Sequence, residues 1–203
     1  FSVIGAVRRA EAFRDSTTTL TQSASYAFEP ILRGIKDAQG VERITAQDGR
    51  SYCVRGYYFG SANPTVFQTT ASVLSVLSIE PVSNSEATKE FMRRDYSVTN
   101  GQLFETTYKS SGEKGLQCAT RISWNQTGLP RRLTDSGVRV STFGLRGYAP
   151  LLADGLSIGT VRHSPYVTVD LVVDYGSTGR AGIAPMSLHT MVVPTFVYGE
   201  KRE

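Results

Sequence analysis

The chain reads as an all-β protein, a sandwich, jelly roll or barrel, and three observations carry that reading. The clearest is alternation. From Tyr166 to Tyr175, Val167, Val169, Leu171, Val173 and Tyr175 take one side, and Tyr166, Thr168, Asp170, Val172 and Asp174 the other. A period of two is what a half-buried strand needs. The second is composition. The 203 residues include 21 Ser, 21 Thr, 19 Gly and 8 Pro, whereas a helical bundle is rich in Ala, Leu, Glu and Lys. The third is punctuation by turn dipeptides: Asp48-Gly49, Asn100-Gly101, Ser111-Gly112, Thr127-Gly128, Ser136-Gly137, Asp154-Gly155 and Tyr175-Gly176.

In chain order, residues 3–14 place Val3, Val7 and Ala10 on one side of a helix, a short amphipathic pattern that also suits an extended arm. The Ser/Thr run 15–25 reads as a polar linker or edge segment. Glu29–Lys36 suits one or two helical turns, with Pro30 at the first helical position and Gly40 as a stop. Residues 1–25 are therefore expected to be an N-terminal arm or linker, and 26–203 a single β-sandwich domain.

Tyr52–Phe59 is rich in β-formers and follows the Asp48-Gly49 turn. Thr65–Ile79 reads as one or two strands. Asn84–Arg94 reads as the best helix: Ser85 can cap it, Glu86 and the Arg93-Arg94 pair suit its dipole, and Glu90 with Arg94 makes an i,i+4 pair. Leu116–Trp124 and Gly137–Phe143 alternate as strands do. Met191–Tyr198 is the last strand, and Pro194, which has no donor, puts it at an edge or a bulge. Seven or eight strands and one clear helix result.

At 22.1 kDa and 40% hydrophobic residues the chain has enough apolar content for one packed core. It has no apolar run of transmembrane length. Phe1 in place of an initiating Met suggests a processed or trimmed product, and the short apolar stretch before Arg8-Arg9 is not a signal peptide. Cys53 and Cys118 sit in strand-like stretches and read as two buried free thiols, with a single bridge left open.

The candidate chemistry is sparse. His163 and His189 lie near no Cys in sequence, so a zinc site is not expected, and no nucleophile-elbow motif accompanies them. Asp170 and Asp174 share a strand face. They suit a cation-binding or acid/base pair, but an ordinary solvated face is the plainer reading. The segments 144–147 and 176–179 are turns, not phosphate loops. Asn125-Gln126-Thr127 is a formal glycosylation sequon.

Net charge is +4, and 17 of the 22 basic residues are Arg. Arginine forks suit phosphates, aromatic faces and interface ion pairs. They cluster at Arg8, Arg9 and Arg14, at Arg93-Arg94 and at Arg131-Arg132. Tyr57-Tyr58-Phe59 suits a strand shared by a core and an interface.

An Arg-biased, Ser/Thr-rich β-protein of this size, with a basic N-terminal segment and then a polar stretch, resembles the single jelly-roll coat proteins of small icosahedral viruses, of the picorna-like or plant kind. The resemblance covers most of residues 26–199. It implies an all-β, two-sheet antiparallel sandwich of jelly-roll type with one or two short helices. It also implies a structural, non-enzymatic coat subunit without cofactor or metal, located in the virion and released by polyprotein cleavage. Its partners would be copies of itself and other coat chains. Arg8, Arg9 and Arg14 are the candidates for non-specific phosphate contacts with genomic nucleic acid. Two other classes compete: a carbohydrate-binding sandwich using Trp124, Tyr108, Tyr148 and Tyr166, and a hydrolase using Asp170 or His189.

Overall fold

The computed structural model describes residues 2–60, 64–82, 85–110, 118, 122–152, 165–176 and 183–194. Among the described residues one helix, α1 (Ser2–Asp37), precedes twelve strands. These are β1 (Val41–Thr45), β2 (Ser51–Arg55), β3 (Tyr57–Phe59), β4 (Phe67–Ala71), β5 (Val73–Val82) and β6 (Ser85–Thr99). There follow β7 (Gln102–Ser110), β8 (Trp124–Gln126), β9 (Arg131–Arg132), β10 (Arg139–Tyr148), β11 (Tyr166–Asp174) and β12 (Met186–Val192).

The larger sheet runs β3-β5-β6-β7-β8, with β9 also on β7; the smaller runs β12-β11-β10-β4, and β1 and β2 form a separate hairpin. Every ladder is antiparallel. The architecture is the expected all-β sandwich. Its neighbours are mostly hairpin partners, so both sheets are largely meanders. β4 crosses over, following β3 of one sheet and pairing in the other, and the chain crosses again from β9 to β10. Among the described residues the double Greek-key wiring that a jelly roll adds is not drawn.

The sandwich has one continuous core. The smaller sheet contributes Val167, Val169, Leu171 and Val173, all fully buried, as the alternation requires. The larger sheet contributes Leu74, Val76, Tyr96 and Leu103. Helix α1 packs against β11 and β12 of one sheet and β5 of the other. Its buried stripe is Leu20, Ala24, Ala27, Ile31 and Ile35, at the spacing of one helical face.

This helix corrects the sequence reading. The arm, the linker and the short helix at 29–36 are one element, and Ser16, Leu20, Ser23 and Ala24 of the supposed linker are buried. The Ser/Thr run stays helical by bonding to its own preceding turn. Hydroxyls of Ser16, Thr17, Thr18, Thr19 and Thr21 donate to carbonyls four residues back at 2.7–2.9 Å. Pro30 stands inside the helix. It withdraws the bond to the Tyr26 carbonyl, a cost of about 3 kcal/mol, which burial of the surrounding stripe offsets. Its own carbonyl accepts from the Tyr96 hydroxyl at 3.2 Å.

The helix expected at Asn84–Arg94 is also overturned, because Ser85–Thr99 is the 15-residue strand β6; Asn84 lies outside the described residues. Phe91 and Met92 are neighbours on opposite faces of the sheet, and both are buried. On one face of β6 Tyr96 reaches Pro30 of α1, and on the other Phe91 packs on Trp124, whose indole bonds Glu42 of β1. Alternation therefore vanishes and the pattern mimics a helix. The expected Glu90–Arg94 pair gives way to cross-strand contacts: Glu90 with Lys109 at 2.5 Å, and Arg94 with Ser78 at 3.1 Å.

Of the expected strand Leu116–Trp124 the described residues are 118 and 122–124, and strand begins at Trp124. Asn100 and Gly101 both have positive φ in the β6–β7 turn, as an Asn-Gly hairpin requires. β12 ends at Val192, before Pro194, and lies at the edge of its sheet. The two cysteines are not free thiols. Cys53 and Cys118 form a disulfide, with Cα atoms 5.7 Å apart, which ties β2 to the segment before β8.

Candidate functional site

Three regions gather the side chains able to recognise something. The first is the free half of α1. Residues 6–15 are exposed throughout, and burial begins at Ser16. Fourteen residues of helix, 2–15, span about 21 Å. Large apolar groups stand in solvent there: Ile4 is 70% exposed, Val7 50% and Phe13 53%. Arg8, Arg9 and Arg14 are all on this segment and exposed. At about 100° per residue Arg8 and Arg14 flank the outward side of the helix while Arg9 lies on another side, so the three form no single basic stripe along a phosphate backbone. Arg9 is turned back on the Gly5 carbonyl at 3.1 Å, and Arg14 lies 3.9 Å from Asp15.

The second region is a cleft of about 800 Å³ between the C-terminal half of α1 and the larger sheet. Tyr26, Glu29, Arg33 and Asp37 form its helical wall, and Met92, Arg94, Glu105 and Arg131 stand on the sheet side. Charges alternate around it. Glu29 pairs with Arg33 at 2.6 Å, and Glu105 with Arg131 at 3.1 Å.

The third region is the outward face of the smaller sheet. Register places Phe67, Tyr148 and Tyr166 side by side across β4, β10 and β11. Phe67 stacks on Tyr148 with centroids 4.6 Å apart, and Tyr148 meets Tyr166 at 5.6 Å. Two rows along, Gly144, Asp170 and His189 are register partners, and the Asp170 carboxylate contacts His189 Nδ1. Asp170 and Asp174 thus have separate partners. Asp174 instead accepts from the Gly176 amide at 2.6 Å. No cluster of three or more metal-ligating side chains occurs among the described residues. His163 lies outside them.

The tyrosines expected to act together are divided. Tyr108 is on the other sheet, beneath the Arg93 guanidinium at 4.4 Å. Arg93 is the hub of a buried network that sequence reasoning missed. It also lies 5.2 Å from the Trp124 ring, 3.1 Å from Asp95, and within 3.3 Å of the Tyr58 hydroxyl. The Trp124 indole donates to Glu42 at 2.7 Å, while the other Glu42 oxygen is buried without a hydrogen bond. Burial pushes the carboxyls of Glu42 and Asp95 above their ordinary range, against the pull of Arg93. The network links the β1–β2 hairpin to the larger sheet.

No known family model matches the chain, and neither a characterised protein nor a solved structure is significantly similar to it.

Proposed function

We propose that the chain is a structural assembly protein, in its particular form a coat subunit that packs with copies of itself or with related chains into an icosahedral virus shell. One observation carries the reading: the half of α1 that leaves the body with Ile4, Val7 and Phe13 uncovered. The segment extends a helix already nucleated by its anchored half, and its apolar side chains gain from burial against a neighbour. The other half is held by both sheets, so the projecting part is a stiff element aimed outward. Arginine and exposed aromatic groups are the residues that anchor protein interfaces. Size-exclusion chromatography with light scattering, followed by negative-stain microscopy, tests the proposal. Multi-copy particles or defined oligomers support it, and a lone monomer under all conditions removes it.

A second reading has its own observation. The row Phe67, Tyr148 and Tyr166 lines one outward sheet face, as in a carbohydrate-binding module. A glycan array probed with wild type and with Tyr148→Ala distinguishes it, since saccharide binding lost in the variant would favour this reading.

A further inference from the structure

We infer that two copies of this chain pair through the outward side of α1, antiparallel, about a two-fold axis near Gln22. The inference rests on the assembly reading above and names its first contact. It starts from rigidity. Because α1 is continuous, its projecting half cannot fold back into the cleft beside its own C-terminal half. The arm of a second copy can reach that cleft.

The charges on the side of α1 opposite the buried stripe then select the occupant. In the arm, Arg8, Glu11 and Arg14 follow one another at three-residue spacing, reading plus, minus, plus. In the cleft wall, Glu29, Arg33 and Asp37 follow at four-residue spacing, reading minus, plus, minus. All six are exposed and share one side of the helix at about 100° per residue. Laid antiparallel, Arg8 faces Asp37, Glu11 faces Arg33 and Arg14 faces Glu29 of the second copy. Position numbers in these pairs sum to between 43 and 45, which puts the axis at residue 22. By symmetry every contact is made twice, as a closed isologous interface demands.

Around the axis the helix surface is small and polar, with Thr18, Gln22 and Ser25 exposed, so two helices can approach closely. Tyr26, 60% exposed, flanks that centre. Asp15, already beside Arg14 at 3.9 Å, and Lys36 flank the charged rows. Where the arm meets the cleft, Ile4 and Val7 gain apolar surface from Ile79 and Met92. The Glu29–Arg33 pair is exposed and worth little alone, so it is free to be shared with the incoming arm.

The experiment uses the full chain in analytical ultracentrifugation. Arg8→Glu with Arg14→Glu is expected to weaken self-association by roughly tenfold or more, and Glu29→Arg with Asp37→Arg likewise. Combining all four reversals should restore it. Gln22→Cys, close to the axis, should give a disulfide-linked dimer on oxidation, whereas Arg9→Cys, on another side of the helix, should not. Self-association that ignores both reversals, with no Gln22→Cys dimer, overturns this pairing and leaves the assembly reading standing. A wild-type chain that stays monomeric removes both.

Discussion

Arg93 shows how a single residue organises its surroundings. It is the cation between two buried carboxylates, Glu42 and Asp95, and stacks on Tyr108 and Trp124. The sequence shows Arg93 only as half of an Arg pair. No local pattern reveals that Glu42, some fifty positions away, shares its environment. The network has a consequence for pH. The Glu42 pKa is raised above its ordinary 4.5 by burial, so its contribution to stability is present below that value and lost as pH rises through the folded one. Glu42→Gln cannot ionise. Its stability relative to wild type should therefore improve as pH rises from about 4.5 towards neutrality, as read from denaturant melts across that range. Leu171 was legible, because alternation alone marks it as buried, and it is fully so. Leu171→Asp is expected to abolish the cooperative thermal transition. An uncompensated core charge costs several kcal/mol, comparable with the stability of a whole domain.

At the scale of elements, β11 and the Asn100-Gly101 hairpin could be read directly, and α1 and β6 could not. β11 has one buried face, so its pattern has period two. β6 is covered on both faces, and its run Phe91, Met92, Arg93, Arg94 carries no period to read. In α1 the serines and threonines that suggested a linker are satisfied within the helix, and the decisive stripe from Leu20 to Ile35 is rich in small Ala residues. The arm belongs to the same element but not to the same core. Deleting residues 1–13 should leave the thermal midpoint of the body nearly unchanged, while helical circular dichroism falls and oligomers dissociate. A body that melts far lower without the arm would show that it packs where the structure leaves it exposed.

At the scale of the whole molecule, the described residues form two larger sheets, a hairpin and one helix, with one cross-link. The sandwich follows from composition and alternation, but the disulfide does not, since sequence supplies no distance between Cys53 and Cys118. The bridge joins positions 65 apart. Closing so long a loop in the unfolded chain is worth up to about 4 kcal/mol. Reduction should lower the denaturant midpoint accordingly, and Cys53→Ser with Cys118→Ser should reproduce the effect without further loss on adding reductant. The mooring of α1 has a mechanical side as well. Tyr175 holds the Ser16 carbonyl at 2.5 Å, Ser23 accepts from the Asp135 amide at 3.1 Å, and Tyr96 reaches Pro30. The free end is thus a lever whose fulcrum lies at Ser16. A load applied near Ile4 reaches both sheets as torque, and the interior registers a tug at the tip before any strand has parted.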